Sequence, residues 1–149
     1  MKTIILGLGN PLFGDDSAGC RVARGLRRRV KQNDIDIEEF SGAGLDIPEL
    51  IRGYDKAIII DAIQNGGEIG RIHHLDWHYI ALLPAGQAHQ MDFINALKLA
   101  AEAGQDTPLD MSIYAIEAGE IARVKTGCSP AVQAAIPVLV ETIIREISN

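Results

Sequence analysis

Carboxylates stand at two places in this 149-residue chain where side chains could do chemistry. Asp15 and Asp16 follow a glycine-rich turn, GLGNPLFG, at residues 7–14. Asp61 directly follows the apolar run AIII at residues 57–60. A carboxylate that ends a buried strand is costly to bury without a partner, and carboxylate oxygens are good ligands for divalent cations. The residue types therefore indicate a cation site.

The glycine-rich turn lacks the residues of a phosphate-binding loop. Gly9 and Gly14 have the GxxxxG spacing of a P-loop. The next two positions, which are Lys and then Ser or Thr in a P-loop, are Asp15 and Asp16 here. Two carboxylates would repel a phosphate, whereas the start of a helix favours their ionised form. We expect Asp15 to cap the helix that follows and Asp16 to be a cation ligand.

Strand and helix patterns alternate along the chain, without internal repeats or a linker. Apolar runs and alternating segments predict strands at residues 4–6, 35–40, 57–61, 69–75 and 112–116, the fourth of them at an edge. Helical spacing and end signals predict helices at residues 22–30, 48–52, 93–101 and from Ser129-Pro130 onward. This order predicts a single α/β domain over residues 1–149. It would have three layers, with helices on both faces of a mostly parallel, twisted sheet of about five strands.

The predicted topology brings the acidic positions to one edge of the sheet. In open α/β sheets, ligands bind beyond the carboxyl ends of the strands, at the point where the strand order reverses. With the common order 2-1-3, this point lies between the first and third strands. Asp16 lies just beyond the turn after the first strand, and Asp61 ends the third. We therefore expect both carboxylates to face one crevice.

A histidine nitrogen would complete such a cation site, and the chain has four histidines. His73, His74 and His78 crowd the predicted edge strand and its exit, where neighbouring side chains point to opposite faces. We expect them to have a surface or substrate-facing role. His89 lies in a loop that precedes a predicted helix, which is a common place for site residues. Residue types and spacing alone leave the choice of histidine open.

Composition excludes some classes of protein. The formal net charge is −6 and the sequence pI is about 5.1, whereas nucleic-acid binders carry a basic excess that neutralises phosphates. No apolar stretch approaches the roughly 20 residues of a membrane span. Cys20 and Cys128 have no metal-site or CxxC spacing, and we expect two reduced thiols. We expect a cytoplasmic protein with neither a nucleic-acid nor a membrane partner.

The first predicted helix has a basic surface. Its apolar stripe is flanked by five arginines: Arg21, Arg24, Arg27, Arg28 and Arg29. Such a face is usually only solvated. The alternative is that it attracts an acidic partner.

The motif at residues 7–16 resembles the opening motif of the hydrogenase maturation endopeptidases. In that family a first strand runs into Gly-x-Gly-Asn, two acidic residues and a helix. Asp61-Ala62 resembles the second acidic position of the family, and His89 resembles its histidine. Residues 127–132, GCSPAV, resemble the Gly-x-(Ser/Thr)-Pro start of its last helix. The resemblance covers nearly the whole chain.

The resemblance implies a function and a set of ligands. Members of this family remove a C-terminal extension from the large-subunit precursor of a nickel-iron hydrogenase after nickel insertion. Carried over, their metal ligands are Asp16, Asp61 and His89, which would bind nickel brought by the substrate. Other divalent ions could substitute for nickel in a crystal. We hypothesise that the metal activates a water for attack on the peptide bond, with one carboxylate as general base.

Departures from the family pattern and two other readings remain. The departures are Ser17 in place of Gly or Ala, the loop at residues 40–43, and residues 117–119 in place of a Pro-containing turn. Peptidyl-tRNA hydrolases also begin with Gly-Leu-Gly-Asn-Pro, but they continue with a His-Asn pair and need a basic surface. A small metal- or ligand-binding module without enzymatic activity is the other alternative, because no nucleophile beside a base is apparent.

Overall fold

A computed structural model describes residues 1–78, 92–119 and 127–148, and five strands in these residues form one sheet. The strands are β1 (Thr3–Leu8), β2 (Ile35–Phe40), β3 (Lys56–Ile63), β4 (Ile72–Asp76) and β5 (Asp110–Glu117). Their order is β2-β1-β3-β5-β4. β1 is parallel to β2 and β3, and β3 is parallel to β5. Only β4, at the edge, runs antiparallel to its neighbour β5.

In the described part of the chain, four α-helices cover the two faces of this sheet. They are α1 (Ala18–Arg29), α2 (Ile47–Leu50), α3 (Asp92–Glu102) and α4 (Pro130–Ser148). The helices α1 and α4 share one apolar cluster with the sheet, and α2 and α3 share the other. The predicted three-layer α/β fold is therefore confirmed. None of the helices in the described residues is long and apolar enough to cross a membrane.

The central strands are apolar without interruption because both of their faces are covered. All six residues of β1 are buried, and residues 57–60 of β3 are 0% exposed. Continuous apolar runs are typical of parallel strands that lie between two helical layers. The same coverage explains why Asp61, which follows directly, is at the boundary between the core and the carboxyl edge of the sheet.

Glycines allow α1 to lie directly against the backbone of the sheet. A Cβ atom on Gly19 would lie 2.3 Å from the carbonyl oxygen of Leu8 and 2.5 Å from that of Ile60. A Cβ atom on Gly7 would lie 2.3 Å from the carbonyl oxygen of Gly19. Larger side chains at either position would push the helix away. This contact fixes the start of α1 between the ends of β1 and β3.

Candidate functional site

A cavity of about 450 Å³ opens at the carboxyl ends of β1 and β3, where the strand order reverses. Asp16 and Asp61 both line it. Their side chains come from different elements, since Asp16 lies in the 3-10 turn Gly14–Ser17 and Asp61 lies in β3. The structure therefore brings these two sequence-predicted site residues to one crevice.

The glycine-rich turn fixes the position of Asp16. The amide of Asn10 donates to Oδ2 of Asp16 at 2.9 Å, and the amide of Asp16 donates to the carbonyl oxygen of Phe13 at 2.9 Å. Gly9 has φ of +133°, and a Cβ atom there would lie 1.9 Å from the backbone oxygen of Asp16. Only glycine allows the turn to close so tightly. The half-buried carboxylate is thus held by its backbone surroundings from the side of the turn.

Asp61 is oriented by its place in β3. It pairs in register with Ala115 of β5, and its Oδ1 accepts a hydrogen bond from the amide of Ala62 at 2.8 Å. Side chains alternate along a strand, so Asp61 shares a face with Ile59, which belongs to the cluster under α2 and α3. The half-buried carboxylate projects where that cluster ends and the cavity begins.

Asp15 does not cap α1, and the prediction that it would is wrong. The 3-10 turn intervenes before α1, and the carboxylate of Asp15 turns into the protein, where it is only 1% exposed. It accepts hydrogen bonds from the amide of Gly119 at 2.8 Å and from the amide and hydroxyl of Ser129 at 2.6 and 2.8 Å. Asp15 therefore joins the turn that carries Asp16 to the end of β5 and to the start of α4.

The histidines of β4 make contacts within the fold. His73 and His74 lie on opposite faces of the sheet, as predicted. Nε2 of His73 lies 3.3 Å from Oε1 of Glu117, which is 1% exposed and also accepts a hydrogen bond from the amide of Asn65 at 3.2 Å. The ring of His74 stacks on Tyr114, with ring centroids 4.3 Å apart. His73 is half-buried against a carboxylate, and the expected surface or substrate-facing role of these histidines stays a prediction.

The third predicted ligand lies outside the described residues. This ligand is His89, so its place relative to Asp16 and Asp61 stays a prediction. His78 is exposed, and its amide donates to the side chain of Asp76. Within residues 1–78, 92–119 and 127–148, no group of three or more His, Cys, Asp or Glu side chains is arranged to hold a metal ion.

Neither Cys20 nor Cys128 forms a disulfide, as expected. Burial raises the pKa of the Cys20 thiol to about 11, and the carboxylates of Glu39, Asp16 and Asp61 contribute to the increase. The sulfur lies 3.5 Å from the carbonyl oxygen of Gly9, within reach of a weak hydrogen bond. A thiol with this pKa is protonated at neutral pH, so Cys20 is not an activated nucleophile.

Other cavity residues were not selected from the sequence. Asn10, Gln64 and Phe93 line the cavity, together with residues 40–42 at the end of β2. Gln64 follows Asp61 by three positions and donates a hydrogen bond from its side chain to the carbonyl oxygen of Gly119. The loop after β2 is one of the departures from the family pattern, and its place in the wall makes it a contact surface for whatever enters. For Phe93, the sequence indicated only a place on the apolar face of a helix.

Comparisons with known proteins agree on one family. The hydrogenase maturation protease (HycI) family model matches residues 20–146. The hydrogenase expression/formation protein HupD of Thiocapsa roseopersicina is 23% identical over 94% of this chain and 68% of its own length. The hydrogenase maturating endopeptidase HybD of E. coli has the same fold, with a TM-score of 0.83, 22% identity and coverage of 99% of this chain and 93% of that one. The [NiFe] hydrogenase maturation protease HybD of Thermococcus kodakarensis has a TM-score of 0.75 and 25% identity over 100% of both chains.

Proposed function

This chain belongs to the hydrogenase maturation protease family, and on that premise we propose that it removes the C-terminal extension of a nickel-iron hydrogenase large-subunit precursor after nickel insertion. The observation that carries the proposal is the cavity at the carboxyl ends of β1 and β3, which Asp16 and Asp61 line together. A peptide that enters this cavity meets two carboxylates from different elements.

Nickel is part of the substrate in this proposal. Asp16, Asp61 and His89 complete the coordination of the nickel that the precursor brings. Two carboxylate oxygens and an imidazole nitrogen are suitable ligands for a borderline divalent ion. The fixed position of Asp16 supports this role, because the turn holds one carboxylate oxygen through the amide of Asn10 and so orients the other. The metal then selects precursors that are ready for cleavage.

The proposed chemistry is hydrolysis of the peptide bond next to the metal. The metal polarises a water molecule, and the oxygen of this water attacks the scissile carbonyl carbon. Asp16 or Asp61 accepts the proton that the water loses. The C–N bond then breaks, and the leaving nitrogen takes up a proton, so that one water is consumed and two chain ends are released. Since the pKa of Cys20 is about 11, a covalent thiolate pathway is not favoured at this site.

A processing assay tests the proposal. Purified nickel-loaded precursor is incubated with wild-type protein, Asp16→Asn, Asp61→Asn or His89→Ala, and loss of the C-terminal extension is followed by mass spectrometry. We expect each variant to cleave the precursor at least about 100-fold more slowly. Each lacks one proposed metal ligand, and the metal stabilises the charge that develops in the transition state. Asp106→Asn, which changes an exposed carboxylate, is the matched control.

Two results would contradict the proposal. Near-normal cleavage by all three variants would show that these residues are not the metal ligands. Binding of the precursor by the wild-type protein without any cleavage would favour the non-enzymatic module that the sequence left open. Far-UV circular dichroism of each variant shows whether a loss of activity reflects unfolding instead.

A further inference from the structure

A second cavity of about 450 Å³ lies between α1 and α4 and shares no lining residue with the first. We call it the arginine groove. Helix α1 contributes Arg21, Arg24, Gly25, Arg28 and Arg29, and α4 contributes Gln133, Ile136, Pro137, Val140 and Glu141. Nothing in the proposed hydrolysis uses this surface.

The groove follows one stripe along each helix. Arg21, Gly25 and Arg28 are spaced i, i+4 and i+7, so they lie on one face of α1. Gly25 opens the middle of this stripe, where a Cβ atom would lie 2.9 Å from a methyl carbon of Val140. Seven residues of helix span about 10 Å, which is the length of about three residues of extended chain.

The floor and the walls of the groove differ in polarity. Ile136, Pro137 and Val140 give an apolar floor. Pro137 lies inside α4 and has no amide hydrogen, so the carbonyl of Gln133 does not receive the usual helical hydrogen bond. Both residues line the groove. The surface thus offers apolar contact beside the arginines, which suits a peptide better than a phosphate or a nucleic acid.

Not all of the arginine charge in the groove is neutralised within the protein. Arg24 pairs with Glu39 at 2.9 Å, and Arg29 pairs with Glu141. Arg21 donates from Nε to the hydroxyl of Ser17 at 2.8 Å. Among the described residues, neither Arg21 nor Arg28 has a carboxylate partner within salt-bridge distance. Within residues 1–78, 92–119 and 127–148, these two guanidinium groups thus have no acidic partner of their own.

The charge of the whole chain makes this surface exceptional. The chain has 14 Lys and Arg against 20 Asp and Glu. Five of the 14 are arginines in α1, which contains no acidic residue. A cationic groove on an otherwise acidic protein favours an acidic partner and orients its approach. Arginine is well suited to this because its fork of donors matches a carboxylate.

One hydrogen bond links the start of the groove to the turn of the candidate active site. The first residue of the groove, Arg21, is hydrogen-bonded to Ser17, the last residue of the turn that carries Asp16. A protein whose chain end enters the cavity would therefore lie close to the start of the groove. This link through the turn of Asp16, together with the positive charge of the groove, favours the precursor itself as the occupant.

We propose that the arginine groove docks an acidic, partly apolar extended segment of the hydrogenase precursor, at a surface separate from the one that cleaves it. The proposal rests on the proposed function. Contacts of Arg21 and Arg28 with carboxylates hold the precursor while its chain end occupies the cavity. The groove therefore contributes to the affinity for the precursor and leaves the chemical step unchanged.

The test compares Arg28→Glu with Arg52→Glu, a charge reversal of an exposed arginine outside the groove. We expect Arg28→Glu to raise the KM for nickel-loaded precursor about fivefold or more at low salt, with kcat unchanged and the difference shrinking as salt is added. Arg52→Glu should match the wild type. An unchanged KM, or a fall in kcat alone, would overturn the proposal.

A binding measurement separates this proposal from the proposed hydrolysis. The dissociation constant for the precursor is measured by biolayer interferometry with Asp61→Asn as the background, so that cleavage does not interfere. Weaker binding after Arg28→Glu supports the groove even if no cleavage occurs. Equal binding of both proteins overturns it. Displacement of the precursor by an RNA oligonucleotide, or dimers of this chain that Arg28→Glu dissolves, would also overturn it by identifying another occupant.

Discussion

The hydrogen bonds of Asp15 show how a single buried carboxylate connects distant parts of the chain. Gly119 and Ser129 are 104 and 114 positions from Asp15 in the sequence, and both donate to it. Three hydrogen-bond donors satisfy this buried carboxylate and so offset the free-energy cost of burying it. Through these contacts Asp15 holds the turn that carries its neighbour, Asp16.

Asp15→Asn should destabilise the protein although it barely changes the shape of the side chain. The amide group replaces one acceptor oxygen with a donor, which must then face the amide of Gly119 or the groups of Ser129. We expect the free energy of unfolding to fall by about 1–3 kcal/mol. Urea denaturation measures this, and Asp106→Asn, at an exposed site, should change little. Equal stability of the two variants would mean that the three hydrogen bonds contribute nothing.

Sequence reasoning predicted that Asp16 and Asp61 share a crevice, but it missed the role of Asp15. The first two follow from a general rule about strand ends, which needs only the order of the elements. The partners of Asp15 are set by tertiary contacts across more than 100 residues, and no local pattern encodes them. For His89, spacing alone could not decide among four histidines, and the choice rests on the family resemblance.

Among the elements, α4 is anchored to the sheet by a polar cluster at the end away from the cavity. Glu146 of α4 accepts hydrogen bonds from Tyr114 and Ser112 of β5, and it pairs with Lys56 of β3 at 2.9 Å. Burial alone would raise the pKa of Glu146, but these donors and the charge of Lys56 outweigh it and lower the pKa below its ordinary value of 4.5. The ionised form is therefore the one that anchors α4.

This cluster predicts a loss of stability in acid. A lowered pKa contributes stability above the ordinary value of 4.5, and the contribution is lost as the pH falls through the lowered value. Glu146→Gln should therefore reduce the free energy of unfolding by about 1–3 kcal/mol near pH 7. The gap from the wild type should shrink once the pH is below 4.5. Urea denaturation across pH shows this; a gap that stays constant into acid would contradict it, and Glu102→Gln, at an exposed position, is the control.

The elements were predictable where their signals were local. Uninterrupted apolar runs located β1 and β3, and the Ser129-Pro130 pair located the start of α4. The edge strand was predicted from residue 69 but begins at Ile72. Gly70 has φ of +90°, and its amide donates to the carbonyl oxygen of Glu117, so the chain is still turning there. Periodicity alone cannot separate such a turn from the strand that follows it.

At the scale of the whole molecule, we propose that one cavity cleaves the precursor and the other binds it. One lies at the carboxyl edge of the sheet and contains the carboxylates, and the other lies between α1 and α4 and contains the arginines. An acidic protein with one basic groove should bind its partner in a preferred orientation. The proposed metal then acts as a signal carried by the partner, because it arrives with the precursor.

Metal removal should therefore affect the precursor and not the protease. The proposal gives the metal three protein ligands, Asp16, Asp61 and His89, and leaves a position open for the substrate, so the isolated protein should bind metal weakly. Treating the protein with EDTA and then removing the EDTA should leave its rate on nickel-loaded precursor within about twofold of the untreated rate, because each precursor brings a metal of its own. Precursor without nickel should remain uncleaved by either preparation. If EDTA-treated protein lost activity on loaded precursor and free nickel restored it, the metal would be a resident cofactor of the protease, and recognition of the nickel in the precursor would need another explanation.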